Sequence, residues 1–230
     1  MNFSGCVIGD ATAYVIVLNT MEKKHIITIS GKPGSGKSST ADKVAELLSY
    51  TRYSSGDIVR NLLAREHITL AEYNARASKD HSFDEKIDQL LRDLRNKNDV
   101  VIDSRLGFYW IPESFKVYLD LDIQVSTVRI FKDAMSNNMR TKGGEFATSL
   151  DLVAKQVKDR MDTEQSRFKN LYGIDPYNPS HFDLVIDTSR HSPQTVALTV
   201  FDTYRRWLKT TTWKREKSSI PLGFSYKNQY

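Results

Sequence analysis

Gly31-Lys32-Pro33-Gly34-Ser35-Gly36-Lys37-Ser38 fits the phosphate-binding pattern G-x-x-x-x-G-K-[ST]. The β-branched run His25-Ile26-Ile27-Thr28-Ile29-Ser30 leads into it, and the helical sequence from Ala41 to Leu48 leaves it. That order of strand, loop and helix is the context the pattern requires. Glycines let backbone N–H groups converge on an anion, and the helix after the loop adds the positive end of its dipole. Lys37 is placed to reach terminal phosphates, and the Ser38 hydroxyl to ligate Mg²⁺. The stretch predicts a nucleoside triphosphate site.

The 230 residues, 40% hydrophobic and 27% charged, suffice for one well-buried domain. A single cysteine, Cys6, excludes an internal disulfide framework and suits a reducing, cytoplasmic setting. No apolar run reaches membrane-spanning length, so no membrane partner is expected. Charge is uneven: from Tyr204 onward there are seven basic residues and one acid, Glu216, leaving the remainder at −1. The basic pI of about 9.1 therefore describes a tail, not a nucleic-acid-binding face. Trp207, Trp213 and Tyr226 among the tail cations leave RNA contact open there, but a solvated end is the expectation. Met1 to Thr20 looks foreign to the rest of the chain, as either a dispensable extension or an over-long start, since Met21 directly precedes the first core strand.

Continuous apolar runs at Asp99–Asp103, Phe115–Leu119 and Phe182–Ile186 read as strands buried on both faces. Helical stretches fall at Asp57–Arg65, Leu70–Ala77, Asp84–Leu94, Gln124–Met135, Leu150–Lys169 and about Pro193–Leu208. The alternation predicts an α/β fold whose parallel sheet is covered by helices, with ligands at the carboxyl ends of the strands.

Charged residues gather at those ends. Ser55 and Asp57 read as N-caps or as ligand contacts, with Arg60 on the first turn of the same helix. A cation there opposes the dipole, which suggests it grips an acceptor phosphate. Asp103 ends a strand parallel to the one feeding the loop, so with Ser38 it is a candidate Mg²⁺ holder. Arg105 comes two residues later, with a planar fork suited to phosphate or a base edge. Arg160, Glu164 and Arg167 form one helical stripe about 10 Å long.

Taken in order, these motifs resemble the cytidylate kinases, most closely their compact archaeal-type branch. The resemblance runs from about His25 to Leu208. It rests on I-T-I-S-G-x-P-G-S-G-K-S, on S-x-G-D-I-x-R at Ser54–Arg60 and on S-R-L-G at Ser104–Gly107. R-x-x-x-E-x-x-R at Arg160–Arg167, Tyr172–Asp175 and Phe182–Ser189 complete it. It implies a P-loop NTPase fold over residues 21–210, with a five-stranded parallel sheet. A monophosphate-binding insert at about 57–98, a lid at about 133–149 and a basic tail at 211–230 belong to the same expectation. ATP and Mg²⁺ would be the cofactors, small nucleotides the partners, and the chain a monomer. The implied donor contacts are Gly31, Pro33, Gly34, Ser35, Gly36, Lys37, Ser38 and Ser39, with Asp187 and Ser189 near the adenine. The acceptor contacts are Ser55, Asp57, Arg60, Arg105, Arg160, Glu164 and Arg167. Lys37, Arg129, Arg160 and Arg167 would be catalytic, and Ser38 and Asp103 would hold the metal.

The lid departs from the pattern. Where relatives carry a further arginine one turn after Arg129, this chain has Asp133, and Arg140 and Lys142 are the cations of Ser136–Ala147. The implied reaction is phosphoryl transfer from ATP to CMP or dCMP. A kinase of another small acceptor such as AMP or a metabolite, or a catalytically weak nucleotide-binding regulator, remains the alternative.

Overall fold

The run ahead of the glycine-rich loop becomes strand β1 (Ile26–Gly31), and all six of its residues are buried. The computed structural model describes residues 23–68, 72, 82–136, 149–210 and 212–218. Beside β1 lie β2 (Thr51–Ser54), β3 (Val100–Asp103), β4 (Phe115–Asp120), β5 (Leu184–Asp187) and β6 (Glu216–Ser218). They form one parallel sheet in the order β2-β3-β1-β4-β5-β6. The helices are α1 (Lys37–Leu48), α2 (Ser55–Arg65), α3 (Ser82–Leu94), α4 (Gly107–Trp110), α5 (Ile123–Ser136), α6 (Leu150–Tyr172) and α7 (Pro193–Lys209).

Period-two geometry sends alternate residues of each strand to opposite faces. On one face Ile27, Ile29, Val117 and Leu119 meet Ala41, Val44 and Ala45 of α1 and Val196, Ala197 and Val200 of α7. On the other, Ile26, Val100 and Ile102 meet Leu91 and Leu94 of α3, while Tyr118 and Val185 pack with Phe108 and Phe182. Each such side chain contributes roughly 1.5–3 kcal/mol by burial, so the two helical layers hold β1 rigidly under the loop it feeds.

At the upper end of β1 the chain needs a residue without a side chain. Gly31 has φ 151°, and a Cβ there would lie 2.3 Å from Leu119 O of β4. Lys32 N instead donates to that same carbonyl at 3.2 Å. The loop therefore leaves the sheet between β1 and β4 without steric conflict.

The sheet has six strands where five were expected, and its two edge strands had no signal in the sequence. Strand β2 carried no apolar run in the sequence because only one of its residues, Ser54, is buried. It is the sheet's edge, and its backbone pairing with β3 defines it. At the opposite edge, a sixth strand replaces the solvated end expected after Thr210. Glu216 accepts from both terminal nitrogens of Arg206 at 2.7 and 2.9 Å, and Arg215 Nε donates to Phe182 O at 2.9 Å. Trp213 donates its indole N–H to Asp183 O at 3.2 Å and stands edge-on to Phe115, 6.2 Å between ring centres. Glu216, the one acid of the tail, and Trp213 thus dock residues 212–218 on β5. The helix expected at Leu70–Ala77, Glu72 apart, lies outside the described residues. So do Met1–Thr20, Arg140, Lys142 and the tail from residue 219.

Trp213→Ala is expected to lower unfolding free energy by about 2 kcal/mol, less than a fully buried tryptophan would cost. Urea unfolding of the full chain measures it. A change under about 0.5 kcal/mol would mean that the segment adds nothing to the fold.

Candidate active site

The loop from Lys32 to Gly36 closes with Gly36 as the N-cap of α1 at φ 83°. No acidic side chain stands in the first turn of α1, so its N–H groups and dipole face the loop without a competing anion. Pro33 O accepts from Ser126 Oγ of α5 at 2.8 Å, and the Ser35 hydroxyl is buried without a partner. Ser39 is exposed on the first turn of α1. Lys32 crosses to Asp120 at the end of β4, 2.8 Å away.

Lys37 folds back over the loop, Nζ donating to Lys32 O at 3.1 Å. Burial lowers its proton affinity well below the ordinary lysine value, and the Arg105 and Arg160 guanidiniums push the same way against Asp103 and Glu164. Several cations share one cleft, and an anion bound among them would relieve their repulsion.

Ser38 Oγ donates to Asp103 Oδ2 at 2.7 Å. A hydroxyl and a carboxylate side by side at the first turn of α1 and the end of β3 are hard oxygen donors. Among the described residues no three or more His, Cys, Asp or Glu are grouped so as to hold a metal ion by themselves. Two protein oxygens suit Mg²⁺, which keeps waters and takes its other ligands from phosphates. The residues present therefore fit that ion.

Across the cleft, Arg105 stands just beyond β3. Its Nε donates to Glu164 Oε2 at 2.7 Å, and a terminal nitrogen donates to Gly31 O at 2.6 Å. Arg160 Nε donates to Glu164 Oε1 at 2.9 Å. Tyr177 OH donates to Glu164 Oε2 at 2.6 Å, with its ring beneath the Arg105 guanidinium. Burial alone would raise the Glu164 pKa, but Arg105, Arg160 and the Tyr177 hydroxyl overcome it and hold the carboxyl well below the usual range. The expected helical stripe is thus divided. Arg160 and Glu164 join Arg105, whereas Arg167 turns to Asp84 of α3, 3.7 Å away, with its Nε buried and unpartnered.

The segment joining β2 to α2 differs in detail from its sequence reading. Ser54, not Ser55 or Asp57, caps α2, its Oγ accepting from Asp57 N at 3.3 Å. Ser55 Oγ donates to Asp103 O at 3.3 Å. Because α2 begins at Ser55, Arg60 lies on its second turn, where Asp57 holds it. That bond is the chief reason the Asp57 pKa is lowered.

The loop after β5 is closed by Asp187 Oδ1, which accepts from Ser189 N at 2.9 Å and Ser189 Oγ at 2.6 Å. Arg129 donates to Thr188 O at 2.7 Å and Ser189 O at 3.1 Å. Its hydrogen bonds support this loop; they do not join the Lys37–Arg105–Arg160 group.

Four residues escaped the sequence reading. Arg52, on β2, faces three carboxylates. Tyr177 completes the Glu164 cluster. Asp84 receives Arg167, and Asp88 accepts from Trp110 Nε1 at 2.9 Å and Tyr172 OH at 2.5 Å. For the two aspartates a signal existed: they sit four apart on an amphipathic helix, on the apolar side.

Glu164→Gln is expected to cost about 3 kcal/mol of stability at pH 7, because it leaves Arg105 buried without its counter-charge. Since the carboxyl titrates lower in the folded chain than its unfolded value of about 4.3, this contribution is complete above about pH 5. It is lost progressively as pH falls through the depressed folded pKa. Urea unfolding of both proteins at pH 7 and at pH 3.5 checks this: the gap must narrow at the lower pH.

The sequence model of the cytidylate kinase-like family matches residues 26–190. A cytidylate kinase of Natronomonas pharaonis is 34% identical over 178 residues, covering 76% of this chain and 86% of that protein. One from Sulfurisphaera tokodaii is 34% identical over 175 residues, 75% of this chain and 91% of that protein. Among solved structures, shikimate kinase from Bacteroides thetaiotaomicron aligns with a TM-score of 0.53 at 13% identity, over 80% of this chain and 98% of that one. That likeness concerns the fold alone. The family match spans β1, the loop, the Arg105–Glu164 cluster and the Asp187 loop, and on it the chain belongs to the cytidylate kinase-like family.

Proposed function

We propose that the chain transfers the γ-phosphoryl group of ATP to CMP or dCMP, yielding ADP and CDP or dCDP. The observation that carries this is geometric: Lys37 and Arg105 both bond to carbonyls of the phosphate loop, Arg160 joins Arg105 on Glu164, and the Ser38–Asp103 pair lies beside the same loop. This arrangement joins a donor phosphate cradle to a second cluster that can hold another nucleotide. Backbone N–H groups from Gly34 to Ser38 bind the donor phosphates, and Lys37 neutralises charge on the terminal ones. Ser38 and Asp103 would hold Mg²⁺, which when bound supplies charge neutralisation at the phosphate oxygens.

Ser55, Arg60 and Arg167 flank the acceptor phosphate, an anion that needs no general base to attack. The γ-phosphorus gains a bond to an acceptor phosphate oxygen as its bond to the β-bridging oxygen breaks. Arg105 and Arg160 stabilise the charge spread over the transferred group, and Glu164 fixes both guanidiniums. Arg129 acts as a positioning residue for the adenine loop at Asp187–Ser189, and Tyr177 as one for Glu164.

Cytosine offers an amine donor where uracil offers a carbonyl. A pocket holding both carboxylates and guanidiniums penalises the mismatch by leaving a polar group unpaired. In a coupled ADP-release assay with a panel of acceptors, CMP is expected to exceed UMP by about tenfold or more in kcat/KM. Arg167→Ala is expected to raise the CMP KM or lower kcat with ATP binding little changed. Equal turnover of CMP, UMP and AMP would refute the cytosine assignment, and wild-type kinetics in Arg167→Ala would refute its role.

Lys37→Ala is expected to reduce turnover by on the order of 10³-fold while urea unfolding stays within about 1 kcal/mol of wild type. More than a tenth of the original rate would remove Lys37 from the mechanism.

A further inference from the structure

Arg52 stands where three carboxylates meet. One terminal nitrogen lies 3.3 Å from Asp103 Oδ2, the same oxygen that accepts from Ser38 Oγ at 2.7 Å. The other lies 3.3 Å from Asp57 Oδ2, and the second oxygen of Asp57 holds Arg60. Asp42 Oδ1 of α1 stands 3.1 Å from Arg52 Nε without hydrogen-bond alignment. The row therefore runs Asp103, Arg52, Asp57, Arg60. Side-chain exposure rises along it, from 8% to 23%, 48% and 69%. Its buried end belongs to the metal-holding pair and its exposed end to the acceptor side.

In such a row each carboxylate is shared. A guanidinium between two acids divides its attraction between them, and weakening one contact strengthens the other. We infer that Arg52 couples the two substrates: engagement of Asp103 by the donor's divalent cation shifts Arg52 onto Asp57, which releases Arg60 to the acceptor phosphate. The inference rests on the donor and acceptor sites proposed above. The contacts most easily exchanged are the exposed ones, since pairs in water are worth only a fraction of a kcal/mol or so. Before the donor arrives, Asp57 occupies Arg60 as a stand-in for phosphate. Afterwards Asp57 is neutralised by Arg52, and Arg60 is freed. The row needs no movement of the sheet, because β2 carries Arg52 and pairs Ser54 with Asp103 in register.

Linkage makes this measurable without turnover. CMP binding to the full chain is titrated calorimetrically alone, with a saturating non-hydrolysable ATP analogue plus Mg²⁺, and with the analogue plus EDTA. Wild type is expected to bind CMP at least about fivefold tighter with the analogue and Mg²⁺, and to lose that gain in EDTA. Arg52→Met is expected to bind each ligand singly but to retain less than about a twofold gain. Asp57→Asn, which keeps the charge on Arg52 but frees Arg60 outright, is expected to lack the gain and to bind CMP without metal at least as tightly as wild type. A full gain in Arg52→Met, a gain in wild type that survives EDTA, or weaker metal-free CMP binding in Asp57→Asn overturns the coupling. Wild type binding both ligands with no gain overturns it alone, leaving the kinase reading standing. Wild type binding neither ligand overturns both. Should Arg52→Met fail to fold by circular dichroism, Asp57→Asn decides.

Discussion

A guanidinium withdrawn from water cannot stand alone, and the cleft is organised around the one that is withdrawn furthest. Arg105 and Glu164 have side chains exposed by only 13% and 14%, and they meet at 2.7 Å. Such a pair adds little net stability over apolar packing, because desolvation offsets the attraction. Its value is positional. Through Arg105 it fastens the segment after β3 to Gly31 O at the mouth of the phosphate loop, and through Glu164 it fastens both to the middle of α6. Tyr177 and Arg160 saturate the carboxylate, so Arg105 keeps one orientation toward Lys37.

Around that fixed pair four further cations each rest on an acid. Lys32 lies on Asp120, Arg52 on Asp57 and Asp103, Arg60 on Asp57, and Arg167 on Asp84. Concentrated positive charge would otherwise destabilise the ligand-free fold by self-repulsion. The pairs differ in how firmly they hold. Those open to water are worth about 0–1 kcal/mol and are readily exchanged, whereas the buried Arg105–Glu164 pair is not. A gradient of burial thus separates cations that orient from cations that exchange partners.

Much of this was legible in the sequence, for physical reasons that can be named. The glycine-rich loop fixes its own geometry through residues that few others can replace, so Gly31–Ser38 and its flanking strand and helix were readable directly. β3, β4 and β5 are buried on both faces and announce themselves as apolar runs. Edge strands do not: β2 is TRYS and β6 is EKS, and both exist through pairing that the local sequence does not encode. The same limit applies to the site. Arg160, Glu164 and Arg167 are a helical stripe in sequence, but which face of α6 meets which neighbour is a tertiary matter. Hence Arg160 and Glu164 reach Arg105 while Arg167 reaches α3. Arg52 was invisible because a lone arginine in a short polar strand has no periodic signature, and its meaning comes from the register that sets Ser54 beside Asp103.

The two halves of the cleft are also held in different ways. The side of the glycine-rich loop is held largely through backbone carbonyls. Asp120 O accepts from both Thr188 N and Thr188 Oγ1 at 3.0 Å, Arg129 grips the same loop from α5, and Lys32 and Leu121 N share Asp120 Oδ1. Carbonyls at strand ends move only with the sheet, so the Asp187–Ser189 loop and the glycine-rich loop are locked to β4 together. On the side lined by α2 and α3, ion pairs and the hydroxyl contacts of Tyr172 and Ser55 reach α6 and β3, while Leu91 and Leu94 of α3 are packed on the sheet. Phosphoryl transfer needs the donor held still and the acceptor brought in line with it, with water excluded as the two meet. In the reading proposed above, the phosphate loop locked to β4 would hold the donor still, and the exposed Asp57–Arg60 contact would be the one exchanged when the acceptor binds.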